Sequence, residues 1–435
     1  MQTVRVIDFL KRYEMDFQDI DMDKYCHIFL DEMGKGLAGE KSSLEMIPTY
    51  IEVDQEVPVD EAAIVIDAGG TNFRVATLYF TREGAPVIEN LQVFPMPGTN
   101  GEISKETFFA TMASYLKTAI GASRKIGFCF SYAAEILPNK DGRLIRFSKE
   151  VRARDVEGQM IGDNLLRAIR SLGHKEDMSV VLLNDTVATL LAGKSKFSGR
   201  KFSSYISFIL GTGTNCSYVE QNNNILKIQG LPREKSQIIN VESGSFGKGP
   251  RGKIDLLFDQ TTVNPGMYTF EKMISGAYLG ELFLKTMKIA AEEGLFSEKL
   301  KREILNIKIM ETKHMNYFVS SSPGKENPLT SLLTCRSDDD CMALYYLCDR
   351  LIERAALLTA INISAAVIKS GMGENPCYPV CVTAEGSAFY GLHGLKSKVE
   401  YYLKNFLIEQ HERNYEIINV ENATLIGAAI ASLTN

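Results

Sequence analysis

Two periodicities divide the chain. From Val6 to Phe17, and again from Lys24 to Leu37, apolar residues recur at helical spacing, with Gly34, Gly36 and Gly39 loosening the second end. Ser43 to Ile51 is extended and fixed by Pro48, and the acidic, Pro-containing stretch from Val53 to Glu61 reads as a connection. The pattern then changes. Ala62 to Ile66 is a continuous apolar run, followed by a sharp turn and a second run from Arg74 to Phe80. A strand is expected at Glu89 to Phe94, stopped by Pro95, Pro97 and Gly98, then a helix over Lys105 to Ile120. The run from Lys125 to Ser131 suits a buried strand that ends in a small polar residue. A helix over Ile161 to Leu172 and a strand over Ser179 to Leu183 follow. That strand leads directly into Asn184-Asp185-Thr186 and another helix. Apolar strands alternating with helices indicate an α/β protein, whose ligands gather at the carboxyl ends of the strands.

The design repeats in the second half. Ser204 to Leu210 reads as a strand, Gly211 to Asn215 (G-T-G-T-N) as a turn, and Cys216 to Glu220 as the returning strand. Asn222 to Asn224 make the next turn, and Ile225 to Ile228 is expected to complete a meander. Ile238 to Glu242 is a strand, Thr269 to Glu293 a long amphipathic helix, and Asp338 to Ser370 a longer helical region stopped by Gly371. Tyr378 to Thr383 is a short strand that leads into a third Gly/Ser turn at Ala384 to Tyr390. After a strand at Tyr415 to Val420, Asn422 is expected to cap a final helix of small residues. Two similar hairpin units in two halves imply a duplicated fold that clasps a nucleotide between lobes.

The turns carry the candidate chemistry. The first holds Asp67, Gly69, Gly70, Thr71 and Asn72. Paired glycines admit positive φ, and successive N–H groups form a concave anion nest. A carboxylate beside such a nest implies a cation between them, so Asp67 points to Mg²⁺ held through water. An ordinary Asn/Gly hairpin turn accounts for this stretch equally well when it is taken alone. Asp185, at a strand's end and a helix's start, reads either as a helix cap or as a general base at the mouth of the sheet. Glu271 reads either as compensation of a helix dipole or as a ligand group.

Composition narrows the class. A chain of 435 residues favours two domains, and 45% hydrophobic with 23% charged residues fits a full-sized globular core. A net charge of -6 gives no reason to expect a nucleic-acid partner. The eight cysteines form no C-x-x-C pair, so metal and disulfide readings are weak and a reducing, cytoplasmic setting fits. The N-terminal residues lack the apolar core of a signal peptide. The most apolar stretch, Ala355 to Ile368, falls short of the roughly 20 residues of a bilayer span, so a buried helix and no membrane partner are expected.

In this order, several stretches resemble the eukaryotic-type hexokinase family of the actin-like ATPase superfamily. They are M-I-P-T-Y (Met46 to Tyr50), D-A-G-G-T-N-F-R (Asp67 to Arg74), G-F-C-F-S (Gly127 to Ser131), F-S-K (Phe147 to Lys149), N-D-T-V-A-T (Asn184 to Thr189), G-T-G-T-N (Gly211 to Asn215), N-V-E-S-G-S-F-G (Asn240 to Gly247), the block Asn264 to Leu282, and E-G-S-A-F-Y (Glu385 to Tyr390). The resemblance implies an α/β, two-lobed actin-like ATPase (ribonuclease H-like) fold with a cleft between a small and a large domain. It implies ATP-dependent phosphorylation of the 6-hydroxyl of glucose or a related hexose, with ATP and Mg²⁺. Asp185 falls on the family's catalytic base. Ser131, Ser148, Lys149, Asn184, Asn215, Glu242 and Glu271 fall on its sugar-binding positions, with Lys149 also expected to neutralise charge during transfer. Asp67, Gly69, Gly70, Thr71, Asn72, Arg74, Thr212, Gly386 and Ser387 fall on nucleotide positions.

The chain departs from the family pattern around the sugar. Ser131-Tyr132-Ala133 stands for S-F-P, Phe147 and Ser148 for Trp and Thr, Ser243 for the Trp of E-W-G, Lys248 for Asp, and Glu385 for the Asp of D-G-S. The loop from Tyr132 to Asp141 is also unlike the family. These changes keep the hydrogen-bonding atoms and trim the packing near the sugar. They leave open a kinase for mannose, fructose or an amino sugar, and a sugar-responsive regulatory protein with little catalysis. The resemblance sets the small domain at residues 61–184 plus 422–435 and the large domain at 1–60 plus 185–421, with crossings near Val59, Asp185 and Val420.

Overall fold

The computed structural model describes residues 2–147, 151–195, 200–320, 327–333 and 337–435. Two sheets organise it. The first contains β2 (Ala63–Gly69), β3 (Asn72–Phe80), β4 (Pro86–Pro95), β5 (Lys125–Phe130) and β8 (Ser179–Leu183), in the order β4-β3-β2-β5-β8. The second contains β1 (Ile47–Pro48), β9 (Ser204–Leu210), β10 (Thr214–Gln221), β11 (Ser236–Asn240), β12 (Val380–Glu385) and β13 (Tyr415–Ile418), in the order β1-β11-β10-β9-β12-β13. In each sheet an antiparallel meander of three strands is extended by two parallel strands. Leaving aside short β1, the two orders are the same, so the duplication expected from the turns is present in the topology. A small hairpin of β6 (Ala133–Ile136) and β7 (Gly142–Arg146) follows β5.

Several elements differ from the sequence reading. Ile225 to Ile228 is a turn, and the meander is closed instead by β11, which pairs with β10. Ile225 is buried all the same, and its apolar neighbour Ile228 packs against the same core, so burial in a loop produced the strand-like pattern. The helix expected over Thr269 to Glu293 is broken into Glu271–Ile274 and Leu279–Glu292. Apolar periodicity runs through the break because both pieces face one core, while Gly276 and Ala277 leave the helix to bond another turn. The first helix is Gln2–Arg12, with Phe17–Asp19 a separate 3-10 turn. Asn422 stands at the start of helix Ala423–Thr434 but makes no capping bond with its side chain.

Close packing ties the sheets together. Helix Asp185–Ala192 and helix Ala423–Thr434 cross with a glycine at the contact: a Cβ on Gly427 would lie 1.9 Å from the Ala188 carbonyl oxygen. On its other side the terminal helix meets β5, where a Cβ on Gly127 would lie 1.9 Å from the Ala428 oxygen. Only backbones without side chains can approach this closely, which explains the run of small residues at the C-terminus. The core formed there also includes Ile51, and Ile238 and Cys381 from strands of the second sheet. The largest core surrounds helix Asp338–Lys369, which packs beside helices Gln2–Arg12, Met22–Ala38 and Leu395–Leu403. That helix is long and apolar enough to cross a membrane, but most of its apolar residues are buried within the protein. Cys26, Cys129, Cys216, Cys348, Cys377 and Cys381 are free thiols.

Candidate active site

A cavity of about 600 Å³ opens between the carboxyl ends of β5 and β8 and the turn joining β9 to β10. Its wall includes Ser131, Asn184, Asp185, Thr212, Asn215, Glu242 and Glu271. Six residues expected to contact sugar, and one expected to contact nucleotide, therefore meet in one place from five separate parts of the chain. Ser148 and Lys149 lie outside the described residues.

Local structure explains how each arrives. β8 ends at Leu183, and Asn184 caps the following helix by accepting from Thr186 N at 2.9 Å. A cap of this kind is worth about 0.5–2 kcal/mol. Asn184 thereby takes the cap role for which Asp185 was a candidate. Asp185 is then the first residue of the helix, and its Oδ1 accepts from Thr186 N at 2.8 Å. Burial raises its pKa from 3.8 to about 6, and the charge of Asp67 adds to the rise. The cavity leaves one face of this carboxylate partly exposed, while protein surrounds it elsewhere.

Asn215, on β10, is a junction. Its Nδ2 donates to Asn240 Oδ1 at 2.9 Å and to Glu242 Oε1 at 3.2 Å. Its Oδ1 accepts from Ser243 N at 3.2 Å. Asn240 Nδ2 also donates to Glu242 Oε1, at 2.8 Å. Glu242 adopts φ +56°, a left-handed conformation uncommon for a residue with a side chain. The amides from Asn215 and Asn240 hold it there, and strain of this kind collects where a side chain must be aimed. Burial pushes the Glu242 carboxyl up to about 7, with Glu45 and Asp185 adding to the rise and the two amides opposing it.

Glu271 opens the short helix Glu271–Ile274, and its Oε2 accepts from Thr214 N at 2.9 Å. It therefore braces the Gly/Thr turn and does more than offset a helix dipole. Burial raises its pKa, while the Thr214 N–H and Lys272 lower it. A Cβ on Gly213 would lie 2.5 Å from that carboxylate oxygen, so a glycine is needed in the turn. Beyond Ile274 the broken helix docks on the same turn. Gly276 N donates to Gly211 O at 2.8 Å, and Ala277 N to Thr212 O at 3.1 Å.

A second cavity, of about 420 Å³, adjoins the first through Thr212. Its wall includes Gly211, Gly276, Ser387, Thr312, Lys313 and Asn316. Gly386 stands behind it at φ +112°, where a Cβ would lie 2.2 Å from Leu210 O. Thr212 and Ser387 thus share this cavity, with Gly386 beside Ser387. Thr312, Lys313 and Asn316 were missed, because they sit on an ordinary amphipathic helix (Thr312–Val319) with no glycine to mark it. Arg146, Tyr268 and Tyr132 in the larger cavity were likewise not singled out, although Tyr132 had been noted as a departure.

The β2–β3 turn lines neither cavity. Gly69 and Asn72 pair across it, with Gly70 and Thr71 at the tip. The turn abuts the larger cavity where Gly69 meets the Ser131 side chain. Arg74 pairs directly with Asp67 across the hairpin and lines neither cavity. Its Nε donates to Asp67 Oδ2 at 2.9 Å, and Thr424 Oγ1 donates to the same oxygen at 3.0 Å. Among the described residues, no group of three or more His, Cys, Asp or Glu is gathered as in a protein-only metal site.

Two family models, each described as Hexokinase, match residues 8–195 and 205–434. Among curated proteins, Hexokinase-2 of Equus caballus is 30% identical over 383 residues, covering 83% of this chain and 41% of that protein. Hexokinase-3 of Mus musculus is 32% identical over 389 residues, covering 85% and 41%. The chain thus spans about two fifths of the length of these relatives. Among solved structures, a hexokinase from Schistosoma mansoni complexed with glucose superposes with a TM-score of 0.77 at 23% identity, over 100% of this chain and 99% of the other. A second hexokinase crystal structure gives 0.80 at 22% identity, over 99% of both. Likeness at that identity carries the fold alone, the two-lobed α/β architecture.

Proposed function

We propose, for a chain that belongs to the hexokinase family, that it transfers the γ-phosphate of ATP to the 6-hydroxyl of glucose or a related hexose. The observation that carries this reading is the position of Asp185. Its carboxylate, raised to about 6, lies in a cavity lined by amides and carboxylates, next to a second cavity edged by a glycine turn and a helix start. A sugar is a ring of hydroxyls, so the larger cavity, with Asn184, Asn215, Glu242 and Glu271, suits an acceptor. The smaller cavity, with Gly211, Thr212, Lys313 and Ser387, suits a nucleotide.

In this mechanism Asp185 accepts the proton of the 6-hydroxyl as that oxygen bonds to the γ-phosphorus. The bond from the γ-phosphorus to the bridging oxygen breaks, and ADP leaves with it. A base with a pKa near 6 is largely ionised at neutral pH yet basic enough to share the proton in the transition state. Asn184 and Asn215 hold the acceptor's orientation, and Glu242 and Glu271 offer carboxylates to its remaining hydroxyls. Phosphoryl transfer depends mostly on such positioning and on neutralising charge.

The donor set fits Mg²⁺. Burial raises the Asp185 pKa and the Asp67 charge adds to it, so a hard dication near the phosphates would favour the ionised form of Asp185. Asp67 would hold it through water, and when bound it would neutralise charge on the phosphate oxygens. Lobe limits at residues 61–184 plus 422–435 and 1–60 plus 185–421, and a cytoplasmic setting, belong to the same proposal.

The test is release of ADP by the purified protein with ATP, Mg²⁺ and a panel of glucose, mannose, fructose and glucosamine. Turnover that depends on one of these hexoses is expected. Sugar binding without ADP release would favour a regulatory protein on the same fold.

A further inference from the structure

Two residues that follow β5 hold the β2–β3 turn from behind. Ser131 N donates to Ala68 O at 3.0 Å, and the Tyr132 hydroxyl donates to Gly70 O at 2.8 Å. Gly70 is the residue of that turn with φ +59°. A turn that cradles an anion must present N–H groups toward it and direct carbonyls elsewhere. The Tyr132 hydroxyl fixes one such carbonyl, at the residue whose left-handed conformation sets the direction of the turn.

Tyr132 also forms part of the wall of the larger cavity and is only 6% exposed. Phe130 and Phe147 flank it, with ring centroids 4.9 Å and 5.2 Å away. One side chain therefore links the wall of the larger cavity to the β2–β3 turn, the anion nest expected from the sequence, which its hydroxyl bonds. A phenylalanine would fill the same wall and lose the second contact.

We propose that Tyr132 is a positioning residue that couples acceptor binding to nucleotide affinity, acting through the Gly70 carbonyl. The proposal rests on the kinase reading above. An acceptor filling the cavity holds the ring against Phe130 and Phe147, and the held ring fixes the turn before the nucleotide arrives. Linkage is reciprocal, so the nucleotide must tighten acceptor binding by the same factor.

The experiment is calorimetric titration of Mg²⁺–AMP-PNP into the wild type and Tyr132→Phe, each with and without saturating glucose. Glucose should tighten nucleotide binding to the wild type. In Tyr132→Phe that gain should shrink by about 3- to 10-fold, the scale of one net hydrogen bond. The Tm should fall by no more than about 1–2 °C, the cost of one net hydrogen bond in a chain of this size, which separates coupling from a role in folding alone. An unchanged gain in Tyr132→Phe overturns the proposal, and so does an equal loss of nucleotide affinity with and without glucose. A wild type that binds no nucleotide under either condition would instead remove the kinase reading, and this proposal with it.

Discussion

Asp185→Asn should make the protein more stable while removing its activity. The substitution keeps shape and leaves an amide oxygen able to accept from Thr186 N, so the start of the helix is preserved. What it removes is a buried negative charge. The folded-state pKa is raised above the unfolded one, so the protonated carboxyl stabilises the fold at low pH. That contribution is complete below the unfolded value near 3.8 and lost as pH rises through about 6. The difference corresponds to roughly 3 kcal/mol at most above that range, since cavity water reaches one face of the group. If the whole chain unfolds together, at about 2.1 cal/mol/K per residue, this moves Tm by roughly 3 °C. The assay is calorimetric melting of both proteins from acid to neutral pH, without ligands. The two Tm values should coincide near pH 4, diverge as pH rises, and stay apart above pH ~6 with the variant higher. In parallel, kcat should fall by ~10²–10⁴ in the variant, and wild-type kcat/KM should decline as pH drops through about 6, where the base takes up its proton. Equal Tm values across the range would refute the desolvated carboxylate, and retained turnover would refute its role as base.

Two further outcomes follow from the geometry. Gly276→Val places a Cβ 2.6 Å from Gly211 O. It should push the broken helix off the nucleotide-side turn, weakening Mg²⁺–ADP binding by tenfold or more while acceptor binding changes little; calorimetry with each ligand separately checks this. Tyr268 lines the acceptor cavity at φ +51°, and its hydroxyl accepts from the Arg146 side chain. Because asparagine tolerates that conformation, Tyr268→Asn should keep the Tm and open the cavity wall. The ratio of kcat/KM for N-acetylglucosamine to that for glucose is expected to rise, and an unchanged ratio would show that this wall does not select the acceptor.

Much of the fold is set by local sequence. The apolar runs of β2, β5, β8 and β9 and the glycine turns after β2 and β9 are local signals, and they were sufficient to indicate a duplicated α/β fold. The small residues of Ala423–Thr434 likewise announced close packing, which the Gly427–Ala188 contact realises. Residue types in motif order also singled out Asp185, Glu242 and Glu271. Sequence could not decide what each carboxylate faces, because that depends on groups distant along the chain. Glu271 reads locally as a helix-start acid, yet it braces Thr214, 57 residues away. The break at Ser275 and Gly276 was hidden because periodicity reports burial of a face, and burial continues across the break. The Ile225 turn misled for the same reason. Arg74, expected at the phosphates, pairs with Asp67 because β2 and β3 set them opposite each other in register. The sequence alone thus determined which elements form and which residue types can do the chemistry. Only the tertiary structure decided which of those groups share a cavity and how far burial shifts their charge, because both follow from contacts between segments that no local pattern encodes.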